Sequence, residues 1–102
     1  MIKKYLLISI LLSSLLYSSD LSGKKVFETY CWGCHHQTAV AFGPPFSEIA
    51  SKRSSEEIQA YILAPEAMYK EFGYKRTVMT KLKLTEQERE AIASYILSYK
   101  GK

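Results

Sequence analysis

The chain has 102 residues and a formal net charge of +4, from 14 Lys and Arg against 10 Asp and Glu. That length holds one domain at most. Part of the positive charge is Lys3 and Lys4, which stand before an uncharged apolar run from Tyr5 to Leu16. A positive start, an apolar run, the small residues Ser18 and Ser19 and then Asp20 have the layout of a secretory leader. The run is shorter than the ~20 apolar residues needed to cross a bilayer, so no permanent membrane span is expected. We read residues 1–19 as a cleaved leader and residues 20–102 as the mature domain in a periplasmic setting. Leu16 and Tyr17 fit the positions before the cut poorly, and no cysteine stands there to carry a lipid. Without Lys3 and Lys4, twelve basic residues face ten acidic ones, a charge near +2. Nucleic-acid binding requires a strongly basic face and is not expected.

A domain of 83 residues buries a limited core and often needs a metal, a disulfide or a cofactor as a staple. The two cysteines, Cys31 and Cys34, are too close in sequence for a disulfide between them to stabilise much. Eleven aromatic residues follow the leader, enough to line a cofactor pocket.

In chain order the pattern predicts helices and loops, with almost no strand-like alternation. A first helix starts at Asp20 or Ser22, either of which can cap it. It carries Val26, Phe27, Tyr30 and Cys31 on one face and stops near Gly33. Gln37 to Phe46 reads as a loop stiffened by Gly43-Pro44-Pro45. A second helix starts at Ser54, where Ser54 and Glu57 form a capping box, and buries Ile58, Tyr61 and Ile62. Pro65 ends it or opens a short third helix to Phe72, and Gly73 stops that segment. Tyr74 to Lys83 reads as an irregular basic loop containing Met79. The last helix starts at a second box, Thr85 with Glu88, and aligns Ile92, Tyr95, Ile96 and Tyr99. Gly101 lies just past its end. The fold class is therefore all-α, a small bundle of about four helices.

Cys31-Trp32-Gly33-Cys34-His35 matches the pattern for covalent haem attachment. Two thiols three positions apart reach two vinyl groups of one porphyrin, and the next histidine falls under the iron as proximal ligand. Three other chemistries compete for the same residues. A reactive dithiol of thioredoxin type belongs at the start of a helix after a strand, whereas this pair falls at the end of a predicted helix. A zinc site needs four well-spread ligands, and Cys31, Cys34, His35 and His36 crowd into six residues. A plain disulfide leaves His35 without a purpose.

The sixth iron position decides between electron transfer and ligand or peroxide chemistry. A thioether sulfur there stabilises ferrous iron. Met79, in a loop free to turn inward, is the preferred donor. Met68, in a short helix beside Tyr69 and Phe72, is the other candidate, though a core methionine serves as readily to fill gaps. His36 adjoins His35 and cannot reach the opposite haem face.

Cys31, Cys34, His35, the Gly43-Pro44 step, Met79 and the helix from Thr85 to Tyr99 together resemble the class I cytochrome c family. The resemblance spans nearly all of the mature chain. It implies a monohaem bundle with one covalent haem c, iron bound by His35 and Met79, that carries single electrons between redox proteins and is not an enzyme. It implies that the Pro44 carbonyl bonds the proximal histidine. It also implies a crossing of first and last helices through Gly23, Phe27 and Tyr95. The family often places proline after its methionine; Thr80 stands here. Tyr74 and Arg76 are candidate contacts for a haem propionate. Lys70, Lys75, Arg76, Lys81 and Lys83 flank Met79 and would steer partners with acidic docking surfaces, unless they simply solvate the loop. A haem sensor or small peroxidase with an open sixth site, and a haemless thiol oxidoreductase, are the alternatives.

Overall fold

The computed structural model describes residues 22–102. The leader at residues 1–19 and the alternative cap Asp20 lie outside the described residues. Five helices and one π-helical turn are present, and no strand occurs among the described residues.

Helix α1, Gly23–Val26, is capped by Ser22, whose side chain accepts from Lys25 N. It runs on into a π-helical turn, Phe27–Cys31. There the Trp32 amide bonds back five residues to the Phe27 carbonyl at 3.0 Å. This wider turn ends at the first cysteine, and such local widenings are common beside functional groups. Val26 and Phe27 are buried, Cys31 is half-buried and Tyr30 is exposed.

Helix α2, Phe46–Lys52, was not expected, because the sequence reading begins the next helix at Ser54. Its N-cap is Pro45, which has no side-chain hydrogen bond to offer, so the usual capping signature is missing. The available signal was the spacing of Phe46, Ile49 and Ala50. Phe46 and Ala50 are buried and Ile49 packs on the core.

Helix α3, Ser55–Leu63, begins at the Ser54–Glu57 capping box, with both reciprocal bonds formed. The Ser54 backbone amide, its hydroxyl and Arg53 hold the Glu57 carboxyl below its ordinary range. The lowered value means this contribution is present above the ordinary glutamate pKa and is lost as pH falls through the depressed one. Helix α4, Pro65–Met68, is shorter than the predicted span to Phe72, and turns carry the chain to Gly73 at φ 83°. Residues 74–85 contain no regular element. Helix α5, Glu86–Leu97, starts at the Thr85–Glu88 box and buries Ile92, Ala93 and Ile96. Its end winds down through turns to Gly101 at φ 79°, a left-handed position suited to glycine.

Helix α5 is the common partner: α1, α2 and α3 all pack on it. The α1–α5 crossing is very close. A Cβ at Gly23 would overlap the Ala91 carbonyl oxygen and the Tyr95 Cβ. Phe27 fills the adjoining space, 5.7 Å from the Tyr95 ring and 5.2 Å from Phe46. Gly23→Ala should therefore force the helices apart and destabilise the folded protein by about 1–3 kcal/mol. Urea unfolding would show this as a lower midpoint, and a wild-type midpoint would refute it.

Candidate haem site

The segment after the π-turn is fastened by short-range bonds. Cys31 O accepts from Cys34 N at 3.1 Å and from His35 N at 3.0 Å, while Gly43 N donates to Cys34 O at 2.7 Å. Phe46 N and Ser47 N donate to the carbonyls of His36 and Gln37, both at 3.0 Å. These bonds tie the start of α2 to the histidine pair and bring residues 43–44 across the His35 ring.

His35 Nδ1 lies 2.8 Å from the Pro44 carbonyl oxygen. A carbonyl can only accept, so Nδ1 carries the hydrogen and Nε2 keeps its lone pair. Phe46 stacks on the imidazole at 5.6 Å with an interplanar angle of 27°. Gly43 completes the cradle, because a Cβ there would run into the imidazole. His36 points elsewhere: its Nδ1 accepts from the amides of Thr38 and Ala39, both at 3.0 Å.

The ring of His35 faces a cavity of about 490 Å³, within the usual size range for cofactor sites. Cys31, Cys34, Pro44 and Met79 line the same cavity, and Met68 does not. All five residues singled out in the sequence therefore meet in one place. Tyr74 and Arg76 stand at its wall as well. Trp32 is turned outward and is 68% exposed.

The cysteines do not have the environment of a reactive dithiol. They sit at the carbonyl end of a helix, where the dipole opposes a thiolate. Burial, and then the neighbouring Cys34, push the Cys31 thiol up to about 11. Among the described residues, no three His, Cys, Asp or Glu side chains converge to hold a metal ion between them.

A family model described as Cytochrome c matches residues 21–100. The chain belongs to the cytochrome c family. No curated protein and no solved structure gives a match. Membership brings one covalent haem c with its iron, haem-based electron transfer, and redox partners. No described helix is long and apolar enough to cross a membrane.

The residues present fit that group. The wall is apolar, and its charged members are Arg53 and Arg76, with no carboxylate among them. Arg53 is the residue that the sequence reading missed. Its guanidinium stacks on Phe72 at 3.9 Å, Nη2 donates to the Phe72 carbonyl at 2.9 Å and Nη1 faces Glu57 at 3.7 Å. Its Nε is buried without a hydrogen-bond partner. The guanidinium charge at this wall would suit a haem propionate. Nothing in the sequence marks Arg53, because its value lies in burial between α2 and the Phe72 turn. Arg53→Leu should lower the midpoint potential of the haem protein, since losing a nearby cation favours the ferric state. Potentiometric titration checks this, and an unchanged potential would remove Arg53 from the site.

Proposed function

We propose that this cytochrome c is an exported electron carrier, with residues 1–19 as a cleaved leader and residues 20–102 as the periplasmic domain. Cys31 and Cys34 form the thioethers, His35 is the proximal ligand oriented by Pro44, and Met79 is the sixth ligand. One observation carries the reading: His35, Met79 and both cysteines line a single apolar cavity, while Met68 stays out of it. The Pro44 bond leaves Nε2 of His35 as the free donor. An anchored imidazole donates more strongly to iron. With sulfur opposite, both axial positions are held through the redox cycle, and no substrate bond is broken. That makes the chain a carrier rather than an enzyme. An open sixth position would suit a sensor or small peroxidase, and Met79 at the cavity wall favours the filled one.

The docking surface follows from charge. Lys70, Lys75, Arg76, Lys81 and Lys83 are exposed, and Glu71 is the one acidic residue between positions 70 and 83. They flank Met79 in the chain, Arg76 lines the cavity, and together they suit partners with acidic faces.

Intact mass and the visible spectrum of the exported protein test the whole reading. The expected mass is residues 20–102 plus one haem, and colourless protein with free or mutually bonded cysteines would overturn it. Met79→Ala should abolish the methionine–iron charge-transfer band of the oxidised protein and admit carbon monoxide to the reduced one. Met68→Ala should do neither, and the reverse result would transfer the assignment to Met68. Electron transfer to an acidic redox protein should slow as ionic strength rises. Salt-independent rates would remove the steering claim.

A further inference from the structure

Among the described residues, the His35 ring makes one hydrogen bond, from Nδ1 to the Pro44 carbonyl. One bond at one ring atom fixes the tautomer but leaves the ring a pivot. Contact with Phe46 removes that freedom. The two rings stack with centroids 5.6 Å apart and planes at 27°. The phenyl plane is itself held. Phe27 meets it at 5.2 Å and 70°, and Tyr95 meets it at 6.2 Å and 89°, both edge to face. Phe46 is the first residue of α2, and its amide bonds the His36 carbonyl at 3.0 Å. The side chain is buried, so no solvent space lets it swing aside. The imidazole thus takes its tilt from a ring whose own tilt is set by α1 and α5.

The stack also has an electrostatic side. The face of an aromatic ring is negative and its edge positive. A positive group within about 6 Å of the face is attracted to it. An imidazole bound to ferric iron carries more positive charge than one bound to ferrous iron. A phenyl face against it therefore favours the ferric state.

We propose that Phe46 is a positioning residue for His35, which sets the plane of the imidazole and lowers the midpoint potential of the iron. It does both through one stacked contact. This inference rests on His35 being the iron ligand.

The experiment uses the haem-loaded protein and two readouts. Potentiometry gives the midpoint potential. The proton NMR spectrum of the ferric protein gives the four haem methyl shifts, whose order and spread report the plane of the axial imidazole. Phe46→Leu keeps an apolar side chain and removes the aromatic face. It should raise the potential and rearrange the methyl shifts. Phe46→Met, a flexible gap-filler, should do the same if the leucine variant fails to fold. The direction of the potential separates this role from plain packing. A loosened core admits water, which stabilises the ferric charge and lowers the potential. Val26→Ala is the packing control, because Val26 is buried on α1 but does not line the cavity. It should lower the urea midpoint and leave both readouts at their wild-type values. A potential that falls or stays, or a wild-type methyl pattern, in the Phe46 variants would overturn the proposal. The wild-type ferric spectrum separates the two failures. If the strongly shifted ring protons are not those of His35, the ligand assignment falls and this role with it. If they belong to His35 while the Phe46 variants change neither readout, only the role of Phe46 falls.

Discussion

The bond between His35 Nδ1 and the Pro44 carbonyl, at 2.8 Å, orders the rest of the site. It fixes the tautomer, so Nε2 carries a lone pair toward the cavity. It also dictates what surrounds it. Gly43 must lack a Cβ to let the chain pass the ring, and Phe46 closes the other side by stacking. The same crossing brings Phe46 onto Phe27 and Tyr95, so the ligand's support is continuous with the α1–α5 contact. Helix packing and imidazole orientation are thus one problem, solved by one aromatic cluster.

The His35 and Met79 sides of the cavity are built differently. On the histidine side, five short backbone bonds and a stacked ring leave the chain little freedom. On the methionine side, no backbone ladder exists among the described residues, and side-chain bonds from a packed helix take its place. Rigid proximal support and a tethered distal loop are compatible with a carrier whose ligands remain in place while the iron changes charge. The cavity wall itself is apolar, and two arginines stand at it.

Much of this was legible in the residues. The two capping boxes located the starts of α3 and α5, because a Ser or Thr three residues before Glu satisfies two amides reciprocally. The five-residue cysteine–histidine motif named the cofactor, since its spacing is set by porphyrin chemistry rather than by the fold. Gly23 with Phe27 and Tyr95 came through likeness to the family, and the helix crossing places them together. Helix α2 escaped because its cap is a proline that offers no hydrogen-bonding side chain. The short helix at Pro65 was drawn too long, because four residues of it are helical and the rest turns toward Gly73.

Sequence by itself determined the cofactor class, the all-helical fold and most helix starts, because these depend on neighbours a few positions apart. Tertiary structure alone decided which methionine reaches the cavity, that Arg53 stands at its wall, and that Tyr61 meets Thr77. Those relations join residues distant in the chain. They exist only once α3, the Phe72 turn and the irregular segment after Gly73 enclose the same space.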